Sequence, residues 1–336
     1  MDRRELDAFV ERHALSGEHV ALAFEVSGAR PAAADVRRFA VRMLRLAGVL
    51  SLAAGVVFFV AANWDALAVV GRFALVESAL VASAGLALFR PPPRATGRHA
   101  LLLALFMTGA LIALFGQTFQ TGADAYELFL TWAALGLPFA IAAQWSVTWA
   151  AWLVVLNTAL GLYCGFRPES GWLWVALGTS SHASALFVGP MMFDVALWLA
   201  ITNLEGTRLA SLAPRWLERL VLTLALGFGT TAGITAIDET RTLLGAVSSN
   251  LASLAAVLVM LGVVATVAVQ KRRDVFPLAL VAASTIALVT SFFVIRFEFE
   301  TGMFFLVSSW LIVSSTVSAR VLMHLVRAWR TEAKPA

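Results

Sequence analysis

The sequence predicts an all-helical, polytopic integral membrane protein of about ten transmembrane helices, with its N-terminus and C-terminus in the cytoplasm. Three observations carry that class. Of the 336 residues 60% are hydrophobic and only 14% charged, where a soluble domain carries roughly a quarter charged residues. The apolar residues gather into ten runs long enough to cross about 30 Å of hydrocarbon, which takes about 20 residues as a helix, and no strand alternation competes with them. The basic residues fall in short blocks between alternate runs, as the positive-inside rule requires of an even number of spans.

Residues 1–45 read as a small cytosolic helical segment. "ELDAFVERHAL" sets Leu6, Phe9, Val10 and His13 at helical spacing, and "SGEHVALAFEVSG" offers Ser16 as a cap and Gly28 as a stop. This is too little chain for a core of its own, so the segment is expected to pack on itself, on the membrane face, or on a protein partner.

The expected spans are 46–62, 68–89, 99–116, 127–143 and 147–164 in a first membrane half, then 185–203, 219–237, 247–269, 275–296 and 302–325 in a second half, 185–325, with a cytosolic tail at 326–336. Between the halves, 165–184 contains "GWLWVALG", too short to span. It is expected to be an extracytoplasmic interfacial or re-entrant piece held by Trp172 and Trp174. With the N-terminus inside, 21 of 25 Lys and Arg lie on the inner side. Arg167, Arg241 and Arg296 lie outside and Arg72 falls within a span. Merging or splitting one run would reverse everything downstream and destroy this asymmetry. Arginine far outnumbers lysine and alanine is abundant, a composition of GC-rich bacterial genomes, so the expected address is the bacterial cytoplasmic (inner) membrane.

The formal charge of +4 marks topology and does not imply a nucleic-acid partner. The single cysteine, Cys164, excludes an internal disulfide and a cysteine-based metal site. The histidines at 13, 19, 99, 182 and 324 have no ligand spacing, and H-E-x-x-H, phosphate-loop, G-x-G-x-x-G and G-x-S-x-G patterns are missing from the sequence. Ser181 and His182 adjoin, but no acid is placed to orient them. The reading is of a protein that is not an enzyme and takes neither cofactor nor metal.

Two polar groups end apolar runs on the outer side. "VVFFVAANWDAL" closes on Asn63, Trp64 and Asp65; "FGQTFQTGADAYELF" carries Gln117 and Gln120, on one face if the helix continues that far, then Gly122 for a turn and Asp124 as a helix cap. Together Asn63, Trp64, Asp65, Gln117, Gln120 and Asp124 form a candidate outer cluster for a cation or polar solute. The alternative is two helix ends whose amides close off backbone groups.

Glu77 and Asp194 are sharper candidates. Each lies about ten residues into its run, about 14 Å deep at 1.5 Å per residue. An ionisable group there costs about 2.5 kcal/mol or more and is by default a functional hypothesis, here a midplane proton or cation site. Gly189 and Pro190 would loosen the helix ahead of Asp194. The alternative is a neutral acid bonded to a neighbour such as Ser78 or Asn157, or Glu77 paired with Arg72 at a poor helical spacing. Gly229/Gly233 and Gly161/Gly165 fit G-x-x-x-G helix packing, and Trp145, Trp149 and Trp152 an aromatic belt near the inner surface.

The stretches around Asn63, Trp64 and Asp65, and from Phe115 through Asn157, resemble the bacterial membrane family called domain of unknown function 2157. That family has a first span ending in A-x-N-W-D and a Q-x-Y-Q-x-G-A-D stretch before a Trp-rich pair of spans. Gln117, Gln120, Gly122, Ala123 and Asp124 match the second motif, with Phe119 in place of Tyr, and Trp132, Trp149, Trp152 and Asn157 match the pair. The resemblance covers roughly residues 1–165 and implies a membrane protein without an assigned activity. The expected function is a small-solute or ion permease in the lipid bilayer. The rival is a non-transporting scaffold, or an envelope-stress or assembly factor, acting through a partner bound by residues 1–45.

Overall fold

The structure is a computed structural model that describes residues 9–13, 16–27, 32–165, 184–203, 213–242, 247–297 and 301–332. Among the described residues there is no strand, and ten helices are long and apolar enough to cross a membrane. Helix α1 (Gly17–Val26) precedes them. The ten are α2 (Ala33–Ala62), α3 (Val69–Phe89), α4 (Ala95–Phe119), α5 (Ala125–Ala143), α6 (Ser146–Tyr163), α7 (Ala185–Asn203), α8 (Arg215–Thr242), α9 (Val247–Val267), α10 (Val275–Arg296) and α11 (Thr301–Glu332).

Every expected span falls on one of these helices, because apolar length dictates a helix in lipid, where backbone groups must be satisfied within the segment. The first differs in extent. The helix begins ahead of the expected span start at 46: α2 runs unbroken from Ala33, because no proline follows Pro31 in this stretch to interrupt it. Its 30 residues are about 45 Å long, about ten residues more than about 30 Å of hydrocarbon needs, and the first ten carry Arg37, Arg38 and Arg42. At α1, Ser16 does stand at the N-cap, but its hydroxyl meets His19 Nδ1 at 2.7 Å and caps no backbone N–H. Leu6, Gly28 and the 166–183 part of the interfacial segment, with Trp172 and Trp174, lie outside the described residues.

The chain forms two compact units, Met1–Met107 and Thr108–Ala336. The division falls inside α4, whereas the sequence halves part at 165–184. In the first unit α2 packs on α3. In the second, α8 is the central helix: α7, α9, α10 and α6 pack around it, α5 pairs with α6, and α11 lies on α10. In the 18-residue apolar stretch of α8, 72% of residues are buried, against 6% in α11. Phe187, Met191 and Trp198 of α7, Val221, Leu222 and Ala225 of α8, and Val257 and Val264 of α9 fill the middle.

Lipid is as apolar as these side chains, so close packing holds the helices together. A Cβ on Gly229 would lie 2.5 Å from Met260 Cε and 3.1 Å from Met191 Sδ, and one on Gly233 would lie 2.4 Å from Leu288 Cδ2. Those two glycines are the close-packing pair read from the sequence. Gly165 is not: with φ +102° and open space around its Cα, it ends the turn after α6.

Candidate functional site

Asp194 sits midway along α7, nine residues from each end, and is fully buried. It belongs to one stripe of α7, Phe187, Met191, Asp194, Trp198 and Thr202, at spacings of three and four that face the bundle. Across from it on α6, Asn157 is also buried. Asn157 Nδ2 donates to the Leu153 carbonyl at 3.0 Å and to Asp194 Oδ1 at 3.4 Å. Asp194 Oδ2 and Asn157 Oδ1 are buried and have no hydrogen-bond partner among the described residues. Buried polar atoms are satisfied in the great majority of cases, so two orphans in one pair need an explanation.

Pro190, one turn before Asp194, has no N–H and leaves the carbonyl four residues back without its helical donor. That carbonyl is Leu186 O, and the buried Cys164 thiol from the end of α6 donates to it at 3.3 Å. An ordinary thiol is largely protonated at neutral pH, so Cys164 can donate in this contact.

Polar groups also close the second unit at each end. Ser184, just ahead of α7, lies with Oγ 3.1 Å from Ser253 Oγ and 3.4 Å from Asn250 Oδ1 on α9, all three buried. At the opposite end α9 runs into a π-helical turn, Ala268–Arg272, that stops at Arg273 in a left-handed conformation, φ +48°. The turn delivers Arg272 to Glu218 of α8 at 2.9 Å, with both side chains nearly buried, and Lys271 to Asn203 at the end of α7. Arg219 pairs with both oxygens of Asp274 at 3.1 and 3.3 Å and lies over the Phe276 ring, while Asp274 caps α10 by accepting from Phe276 N at 3.0 Å. The buried Trp198 indole is directed at Glu218 without reaching the geometry of a hydrogen bond. Sequence reasoning counted these charges only as topology markers, and no periodicity signals a π turn.

In the first unit Glu77 is exposed on α3. Neither partner weighed for it holds it: Ser78 donates to the Leu75 carbonyl at 2.9 Å, and Arg72 turns to the loop before α3. There Arg72 lies 3.8 Å over the Trp64 ring and donates to the carbonyls of Leu67, at 3.0 Å, and Trp64. Asn63 is the C-cap residue of α2 and its amide donates to Phe59 O at 2.8 Å. Asn63 and Trp64 are thus engaged inside the turn, and Asp65 is exposed.

Gln117, Gln120 and Asp124 belong to the second unit and are exposed. The face shared by Gln117 and Gln120 does not form. α4 stops at Phe119, and Gln120 takes the left-handed conformation that reverses the chain, φ +44°, followed by Gly122 at +66°. Asp124 stands at the N-cap of α5 as expected, but its side chain makes no cap bond. Trp149 and Trp152 meet edge to face at 5.6 Å, and Trp152 donates to Ala133 O on α5 at 2.7 Å, so this pair faces the bundle more than the belt.

Ten helices of membrane-crossing length and composition, one of them with a buried carboxylate at its middle, define a polytopic membrane protein. Residues 7–149 match the model of the family described as "Predicted membrane protein (DUF2157)", the family that the Asn-Trp-Asp and Gly-Ala-Asp motifs resemble. That range contains both motifs and ends before Asn157 and Asp194. No curated protein and no solved structure matches the chain.

Proposed function

We propose that this protein is a small-solute or ion permease of the bacterial cytoplasmic membrane, with both termini inside, and that the route runs through the second unit with Asp194 as its coupling group. The observation that carries this reading is a fully buried carboxylate at mid-span whose one partner among the described residues is a single amide. In lipid a carboxylate in that position costs about 2.5 kcal/mol or more, and an apolar residue would pack better, so the acid is there for what it binds. The interrupted hydrogen-bonding of α7 at Pro190, just before the acid, is the kind of helix defect found beside transporter sites. Glu77, exposed on α3, is a second acid in this reading without a comparable enclosure.

The test is a thermal-shift screen of the purified chain against ions and small metabolites, followed by flux of each hit in liposomes. A ligand at about 100 times its Kd adds about 2.7 kcal/mol. Asp194→Asn should abolish both the shift and the flux while the protein still elutes as a single folded species, and Asp194→Glu should retain part of each. Undiminished flux in Asp194→Asn would overturn the assignment.

A further inference from the structure

The orphan oxygens around Asp194 add up to one missing hydrogen. Asn157 has two N–H groups and both are used, on Leu153 O and on Asp194 Oδ1. What remains is two acceptors, Asp194 Oδ2 and Asn157 Oδ1, buried and without a donor among the described residues. An ionised carboxylate leaves both unsatisfied, at about 1–3 kcal/mol for each such group and more when it is charged. A proton on Oδ2 turns one orphan acceptor into a donor for the other. The acid and the amide can then close a ring of two hydrogen bonds, with every polar atom of the pair engaged.

We propose that Asp194 is a proton-binding site, holding its proton in a two-point pair in which the carboxyl O–H at Oδ2 donates to Asn157 Oδ1 while Asn157 Nδ2 donates to Asp194 Oδ1. This deepens the permease reading by naming the ion. The proton comes from water on one side of the membrane, binds at Oδ2, and leaves to water when the pair opens; no other bond is made or broken.

The surroundings favour a proton over a metal cation. A hard cation takes about six oxygen ligands, and this pair offers three, both of Asp194 and Asn157 Oδ1, among the buried Phe187, Met191, Val195 and Trp198. Among the described residues no cation stands opposite to hold the ionised form. The helices packed on α7 carry no Asp, Glu, Lys, Arg or His over residues 146–163 of α6, 220–237 of α8 or 250–270 of α9. Their charged residues sit at the ends: Arg215, Glu218, Arg219, Lys271 and Arg272 at one, Asp238, Glu239 and Arg241 toward the other. Of these, Glu218 and Arg272 hold each other, Arg219 holds Asp274 and Lys271 holds Asn203.

Infrared difference spectroscopy of the full chain in nanodiscs, titrated with acid, base and NaCl, tests this directly. At neutral pH the wild type should show the C=O stretch of a protonated, hydrogen-bonded carboxylic acid. The band should be lost in Asp194→Asn, and in Asn157→Ala, which keeps the acid, it should move to the position of a free acid. Sodium should leave it unchanged. An Asp194-dependent carboxylate band at neutral pH, an acid band indifferent to Asn157→Ala, or its replacement by a carboxylate band on adding sodium would each overturn the proposal. If Asp194→Asn does not fold, the Asn157→Ala shift alone decides. The permease reading fails separately, by an intact band in a protein that moves no proton or solute.

Discussion

Gly109 on α4 shows how much a single position can decide. A Cβ there would lie 2.3 Å from Cε2 of Trp132 and 2.5 Å from Cδ2, so the indole rests on bare backbone. Gly109→Ala should therefore lower stability by about 1–3 kcal/mol, the usual cost of overpacking. The effect is read as a drop in the thermal midpoint in detergent and should be largely absent in the Trp132→Leu background. Nothing in the sequence marks Gly109 apart from the other glycines, because the neighbour that needs it is 23 residues away. Asp194 was legible for the opposite reason: a carboxylate inside an apolar run needs no neighbour to be conspicuous, and Asn157 was among the few polar groups able to reach it. Arg72 was not. Its stacking on Trp64 depends on a turn that folds the chain back, which helical spacing does not encode. The same holds for Gln120, whose left-handed backbone is set by the reversal after α4 and not by the glutamine.

At the scale of elements, the defect in α7 is matched by a donor from α6. Pro190 frees the Leu186 carbonyl and Cys164 Sγ occupies it at 3.3 Å. Cys164→Val, close in size but without a donor, should lower the thermal midpoint by the equivalent of about 1 kcal/mol, and Cys164→Ser should lose less. In the Pro190→Ala background the alanine N–H supplies the helical bond, so Cys164→Val should then cost little. A double-mutant cycle reads that coupling, and additive effects would show that the thiol plays no such part. Helix positions were legible because apolar length in lipid leaves one solution for the backbone, and α7 and α10 occupy the expected spans residue for residue. Local register was less so. The π turn at Ala268–Arg272 shifts the register of only five residues, too few to disturb an apolar period, yet it brings Arg272 to Glu218. Such turns are often found at functional positions.

For the whole molecule, orientation is the step that the helices alone leave open, and charge supplies it. In the proposed topology ten spans put both termini on one side, and the positive-inside rule assigns that side to the cytoplasm. The Glu218–Arg272 and Arg219–Asp274 pairs then lie at the cytoplasmic end of the second unit, and Ser184, Asn250 and Ser253 lie at the outer end. A proton entering among those outer hydroxyls would reach Asp194 about 15 Å further along α7 at 1.5 Å per residue. The ion pairs, with the Trp198 indole one turn below Asp194, would stand between it and the cytoplasm. Because Cys164 is the sole cysteine, Cys164→Ser gives a clean background for mapping this arrangement. Single cysteines introduced at Asp65 and Asp124 should react with a membrane-impermeant maleimide on intact spheroplasts, and one introduced at Arg273 only after permeabilisation. The reverse pattern would put the ion pairs outside and invert the proposed direction of the path. Labelling of Asp65 and Asp124 from opposite sides would require an odd number of crossings between α2 and α5 and so exclude the ten-span order itself.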